Sequence, residues 1–275
     1  MKSLPALLLA GCLALSAHAR VLTQTVAYEH NGVKLQGYMA YDEKIALENK
    51  KVPGVLIVPE WWGLNDYVKG RAELLAKELH VVAFVADMYG DGIVTTDAKK
   101  AGALAEPFYG KPLMAERAQA GLDALLRNEH VDPAHVAAMG YCFGGSTVQA
   151  LAYTGAPLAG IVSFHGGLLP VPAEAAEKTQ AKILICHGAV DPFVPKADVD
   201  AFLSSMNAGK FDYQFNSYAG AVHAFTNPNA DKAAADNGLV GKIGYNRTAD
   251  RRSWINARTF LVEVLFPSKH PERAP

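Results

Sequence analysis

The stretch MGYCFGGSTVQA, residues 139–150, decides how this chain folds. Its cysteine, Cys142, has Gly140 two residues before it and Gly144 two residues after. The apolar run HVAAMGY precedes it, and a helix-forming segment (144–153) follows. A cysteine that only packs a core, a common fate for a small apolar side chain, has no need of glycines at both offsets. A sharp strand-to-helix turn does need them: they let the backbone close tightly and lift the middle side chain above the sheet. The helix that follows then aims its N-terminal N–H groups and positive dipole end at the sulfur, which favours thiolate.

Outward from this turn, strands and helices alternate. Toward the N-terminus, VPGVLIVPE (52–60) and VVAFVADMYG (81–90) are continuous apolar runs, as expected of strands buried on both faces. Between them, Val68, Ala72, Leu75, Ala76 and Leu79 mark one face of a helix. Residues 91–114 read as irregular, with Gly92, Gly102, Gly110 and Pro112, before the helix AERAQAGLDALLRN. Toward the C-terminus, LAGIVSFHGG, AKILICHGAVD and FDYQFNSYAG read as strands, and RRSWINARTFLVEVLF as a closing amphipathic helix. QTVAYEH and VKLQGYMAY flank Asn31-Gly32, a hairpin signal. The expected fold is α/β, a mostly parallel, doubly wound sheet with an N-terminal antiparallel hairpin. In such sheets ligands bind beyond the carboxyl ends of the strands, so chemistry is sought there.

The 275 residues are 50% hydrophobic and 19% charged with a net charge of −1, which is globular composition without the basic excess of a nucleic-acid binder. The first nineteen residues read as a secretory signal: Lys2, an apolar run too short to span a membrane, then Ala17-His18-Ala19 as the cleavage site. Cleavage leaves a single domain over residues 20–275, exported to the periplasm or secreted, a monomer or small homo-oligomer without membrane attachment. Acylation of Cys12 in LAGC, a lipoprotein anchor, is the competing expectation. Cys142 and Cys186 remain in the mature chain, each beside a separate strand, so no disulfide between them is expected.

A thiol nucleophile requires a base, and the base an orienting acid. Asp191 follows the strand in ICHGAVDPFVP, and His223 follows the next in SYAGAVHAFTNP. Nucleophile, acid, histidine is the chain order found on α/β-hydrolase sheets. His165 and His187 also follow strands and are rival bases. Asp87 is a rival acid, read as a loop-fixing residue because it precedes the nucleophile. The oxyanion donors expected are the amides of Phe143 and Trp61. Trp62, Tyr89 and Phe225, with Trp61 and Phe143, are candidates for aromatic walls, though each could equally be core. On spacing alone Glu60 fits a site beside the thiol or a surface turn. No spacing typical of metal ligands occurs, and no cofactor is implied.

The blocks PEWWGLNDYVKGRAELLAKELHVVAFVADMYG, GYCFGG, CHGAVDPFVP and GAVHAFTNP, in that order over residues 25–266, resemble the dienelactone hydrolase family of α/β hydrolases. The resemblance implies an α/β-hydrolase fold, a triad of Cys142, Asp191 and His223, and a role for Glu60 in activating the cysteine when substrate arrives. It also implies hydrolysis of a small ester or lactone, the carboxymethylenebutenolidase type of activity. The family's carboxylate-binding arginines are not matched: Asn227 stands four residues after His223, and no arginine lies between Arg71 and Arg117. Lys99 or Lys100 would have to substitute, without a bidentate fork. A thiolate, its parent pKa about 8.5, leaves a tetrahedral intermediate more readily than a simple alkoxide. Sulfur therefore favours enol lactones, aryl esters and thioesters. A general esterase or thioesterase is the alternative within enzymes, and an exported binding protein the alternative outside them.

Overall fold

The computed structural model describes residues 20–267, so the signal sequence, its cleavage site and Cys12 lie outside the described residues. The chain opens with a hairpin, β1 (Val21–His30) and β2 (Val33–Asp42), paired from Val21↔Asp42 to His30↔Val33. Its two-residue turn holds Asn31 at φ 50° and Gly32 at φ 76°; both angles are positive, as a turn matching the twist of the strands requires.

Six further strands complete one sheet: β3 (Val52–Val58), β4 (Val82–Val85), β5 (Val131–Tyr141), β6 (Gly160–Phe164), β7 (Lys182–Gly188) and β8 (Tyr213–Tyr218). The spatial order is β1-β2-β4-β3-β5-β6-β7-β8. Pairing is antiparallel through β1, β2 and β4 and parallel from β4 to β8, as expected from the alternation of strands and helices. The central strands are buried on both faces, which is why β3 and β4 are written almost wholly in apolar residues.

Each face has its own core. On one side, Leu56 and Val58 of β3 meet α4 (Leu113–Leu126), α5 (Phe143–Tyr153) and, through Phe202 and Met206, α6 (Lys196–Ala208). On the other, Val55 and Ile57 meet α2 (Asp66–Leu79) and α8 (Arg247–Leu265). This alternation along one strand is the period of two that a sheet covered twice demands. All five apolar positions expected on the face of α2 are buried; a Val or Leu removed from water this way contributes roughly 1.5–3 kcal/mol.

Residues 91–114 are more regular than expected. They contain α3 (Ala98–Ala105), whose N-cap Asp97 accepts from the Lys100 amide at 2.8 Å, and a 3-10 turn at Glu106–Phe108. Gly102 and the paired lysines hide this helix from periodicity, but the cap satisfies an amide that the helix start leaves free. The short helices α1 (Glu43–Leu47) and α7 (Ala230–Asp236), and the longer α6, also have no counterpart in the sequence reading.

The strand register sets the site. Val58 pairs with Gly140, Tyr141 with Phe164, Phe164 with Cys186, and Gly188 with Tyr218, so the carboxyl ends of β3, β5, β6, β7 and β8 lie along one edge. Glu60, Cys142, His165, Asp191 and His223 each stand just past one of them.

Candidate active site

Cys142 occupies the turn between β5 and α5 at φ 53°, ψ −116°, a region that costs a side-chain-bearing residue strain. The surroundings over-determine it. A β-carbon on Gly140 would overlap the Gly144 carbonyl, and one on Gly144 would overlap the carbonyls of Val58 and Pro59. The Cys142 amide donates to the Phe164 carbonyl at 3.0 Å and to His165 Nδ1 at 3.1 Å. Its carbonyl accepts from the Gly145 amide at 2.9 Å. Cys142 is partly exposed and Cys186 buried; both are free thiols. Burial pushes the Cys186 thiol up to about 12, leaving it inert.

His223 and Asp191 meet across two loops. Nδ1–H of the ring donates to Asp191 Oδ2 at 2.8 Å, which leaves Nε2 as the nitrogen free for chemistry. Asp191 Oδ1 accepts from the Phe193 amide at 2.9 Å, fixing the carboxylate. Burial alone favours a neutral His223, but the Cys142 sulfur and the Asp191 carboxylate outweigh it and raise the ring's pKa well above the ordinary histidine range.

Cys142 and His223 line one cavity of 260 Å³ together with Glu60, Trp61, Trp62 and Phe143. Glu60 is 2% exposed, and its Oε2 accepts from Asn227 Nδ2 at 2.6 Å. Its Oε1 is buried and has no hydrogen-bond partner among the described residues. Burial raises the Glu60 carboxyl to about 7, although the Asn227 contact, His223 and Arg71 each pull it down. Trp61 and Trp62 stack edge-to-face at 5.0 Å. The amide of Phe143, first residue of α5, has no acceptor within its own helix.

Two expected wall residues stand elsewhere. Tyr89 lies behind the wall: its hydroxyl donates to the Trp61 carbonyl at 2.8 Å and its ring packs on Phe143 and Phe108. Phe225 is fully buried against His165 and Tyr218, so it is core. Lys99 and Lys100 are exposed on α3 and do not line the cavity. The rival bases are otherwise occupied. His165 Nδ1 accepts from the Cys142 amide, so Nε2 carries the proton and donates to Thr226 Oγ1 at 2.7 Å. Burial, with the charges of His223 and Arg71, holds its pKa far below the ordinary range. Tyr67 and Arg71 in turn grip Thr226, at its hydroxyl and its carbonyl. His187 packs against Phe215, outside the cavity. Asp87 fixes its loop by accepting from the amides of Gln36, Tyr89, Gly90 and Gly92.

Sequence reasoning missed Tyr109, Phe193, Leu239 and Ile243, which complete the apolar walls. Phe193 had a visible signal, two residues past Asp191 in DPFVP; Leu239 and Ile243 lie among glycines with no periodicity to mark them.

A doubly wound sheet with cysteine, histidine and carboxylate gathered at one edge defines the chain as an α/β hydrolase. It belongs to the dienelactone hydrolase family, whose profile matches residues 35–265. It is 25% identical to a Saccharolobus solfataricus protein named "Putative carboxymethylenebutenolidase", over 88% of this chain and 99% of that one. Among solved structures, a dienelactone hydrolase-like promiscuous phosphotriesterase from metagenomic libraries superposes with a TM-score of 0.82 at 39% identity, covering 89% of this chain and 98% of the other. A Pyrococcus horikoshii acylaminoacyl peptidase shares the fold, with TM-score 0.66 at 12% identity over 93% of this chain and 43% of its own.

Proposed function

We propose that this hydrolase cleaves activated small esters and lactones, of the dienelactone type, through a covalent acyl-thioester on Cys142. The observation that carries the proposal is a strained, partly exposed cysteine sharing one cavity with a histidine whose far nitrogen is fixed by a buried carboxylate. In this reading the Cys142 sulfur attacks the carbonyl carbon while the amides of Phe143 and Trp61 hold the oxyanion. The carbon–oxygen bond to the leaving group breaks, and His223 Nε2–H supplies the proton that oxygen needs. The neutral imidazole, oriented by Asp191, then takes a proton from water. Hydroxide adds to the thioester, and the carbon–sulfur bond breaks to release the acid. Glu60, which lines the same cavity as the sulfur, takes part in activating the thiol. The likeness to a promiscuous phosphotriesterase supports a second electrophile at the same sulfur, a neutral aryl phosphotriester. We also propose export of the mature chain from Arg20, on the strength of its leader sequence.

The test is turnover of dienelactone and p-nitrophenyl esters by the mature chain. Cys142→Ala is expected to lower kcat by about 10³-fold or more, and iodoacetamide to do the same. Wild-type rates in Cys142→Ala would remove the nucleophile assignment. Ligand binding without turnover would favour a binding protein.

A further inference from the structure

Among the described residues, no lysine or arginine lines the cavity. Its walls are aromatic and aliphatic, from Trp61, Trp62, Tyr109, Phe143 and Phe193, and its titratable groups are Glu60, His223 and Cys142. The positive charge of His223 is already met by Asp191 Oδ2 at 2.8 Å and by the sulfur. What remains unmatched is an oxygen. Glu60 Oε1 is buried without a partner, and Asn227, the donor on the other oxygen, is neutral. A buried carboxyl group whose hydrogen-bond partner is a neutral amide keeps its charge uncompensated at that contact, next to apolar walls.

We infer that the cavity selects acyl groups carrying no carboxylate, and that Glu60 determines this specificity: its carboxylate, hydrogen-bonded to a neutral amide and set beside apolar walls, turns away an anionic acyl tail. The inference rests on the hydrolase reading of the same site and narrows its substrate class to activated esters and lactones that lack the carboxylate of dienelactone itself.

The selection has a pH signature. Burial holds Glu60 near 7, so its charge grows as pH rises through that value. The groups facing it are His223 from the loop after β8, Arg71 and Tyr67 from α2, and Cys142 from the turn after β5. Arg71 is tied to Asp250 and to the Thr226 carbonyl, so it is not free to receive a substrate anion.

The mature chain is assayed with p-nitrophenyl hexanoate and mono-p-nitrophenyl adipate, esters of equal acyl length differing in a terminal carboxylate. At pH 8 kcat/KM is expected to favour the hexanoate by about tenfold or more, like charges in a dry site being costly. The ratio should shrink severalfold at pH 6, where Glu60 is protonated. In Glu60→Gln it should be smaller at pH 8 and flat across that range. Equal kcat/KM at pH 8, or a ratio that Glu60→Gln leaves unchanged, overturns the inference. If neither ester turns over, the hydrolase reading fails, and selection is read from protection of Cys142 against iodoacetamide. Hexanamide protecting at pH 8 where adipamic acid does not upholds the selection; equal protection overturns it.

Discussion

Glu60 is a carboxyl group two residues past a largely buried strand, sharing a cavity with a thiol, with one oxygen bonded and one buried without a hydrogen-bond partner among the described residues. Its pKa is raised by burial from 4.5 to about 7, so folding binds a proton there that the unfolded chain releases. A raised folded-state pKa contributes stability below the unfolded value and loses it as pH climbs through the folded one. Between about pH 4.5 and 7 this residue therefore weakens the fold by an amount of order 3 kcal/mol. Glu60→Gln should unfold at higher denaturant than wild type at pH 8 and lose that advantage at pH 5; equal midpoints at both values would contradict the shift. His223, also raised, changes stability in the same direction, which is why the variant is compared with wild type rather than pH with pH. At this scale Cys142, Asp191 and His223 were legible, since each sits beside glycines or just past an apolar run. The Asn227 contact with Glu60 was not: it joins residues 167 apart in sequence, and nothing local announces it.

Helices with a continuous apolar stripe and strands with unbroken apolar runs were legible, because their burial is written at a fixed period. α3 was not, since it is short, contains Gly102 and buries only Ala101 and Ala105. Its start depends on Asp97, whose side chain caps the Lys100 amide, and a β-carbon added at Gly102 on the same helix would meet the Trp61 ring at 3.8 Å. Asp97→Ala should cost about 1 kcal/mol of stability. Faster amide exchange confined to residues 98–105 would identify the lost cap, whereas unchanged exchange would show that the helix is held by packing instead. α6 was missed for a different reason: only Phe202 and Met206 are buried, too few to stand out against a mixed background.

Across the whole molecule, one sheet covered on both faces gives five parallel strands a common edge, and each delivers one side chain to it. The strand-helix alternation made the doubly wound class readable. The order of strands in space is long-range information, set by packing between segments far apart. β4 shows the dependence: Phe84, fully buried, packs edge-on to Tyr28 at 5.8 Å, and a β-carbon on Gly37 of β2 would overlap its ring. Phe84→Ala should lower stability by about 3–5 kcal/mol through the cavity it leaves. A loss under 1 kcal/mol, read from denaturant unfolding, would mean the hairpin docks independently of that ring. The most direct test of the central claim is mass spectrometry of the acid-quenched reaction with p-nitrophenyl hexanoate. One hexanoyl group on the peptide containing Cys142, absent in Cys142→Ala, is the result predicted. Full turnover in Cys142→Ala, or acyl label on any other residue, would contradict the account.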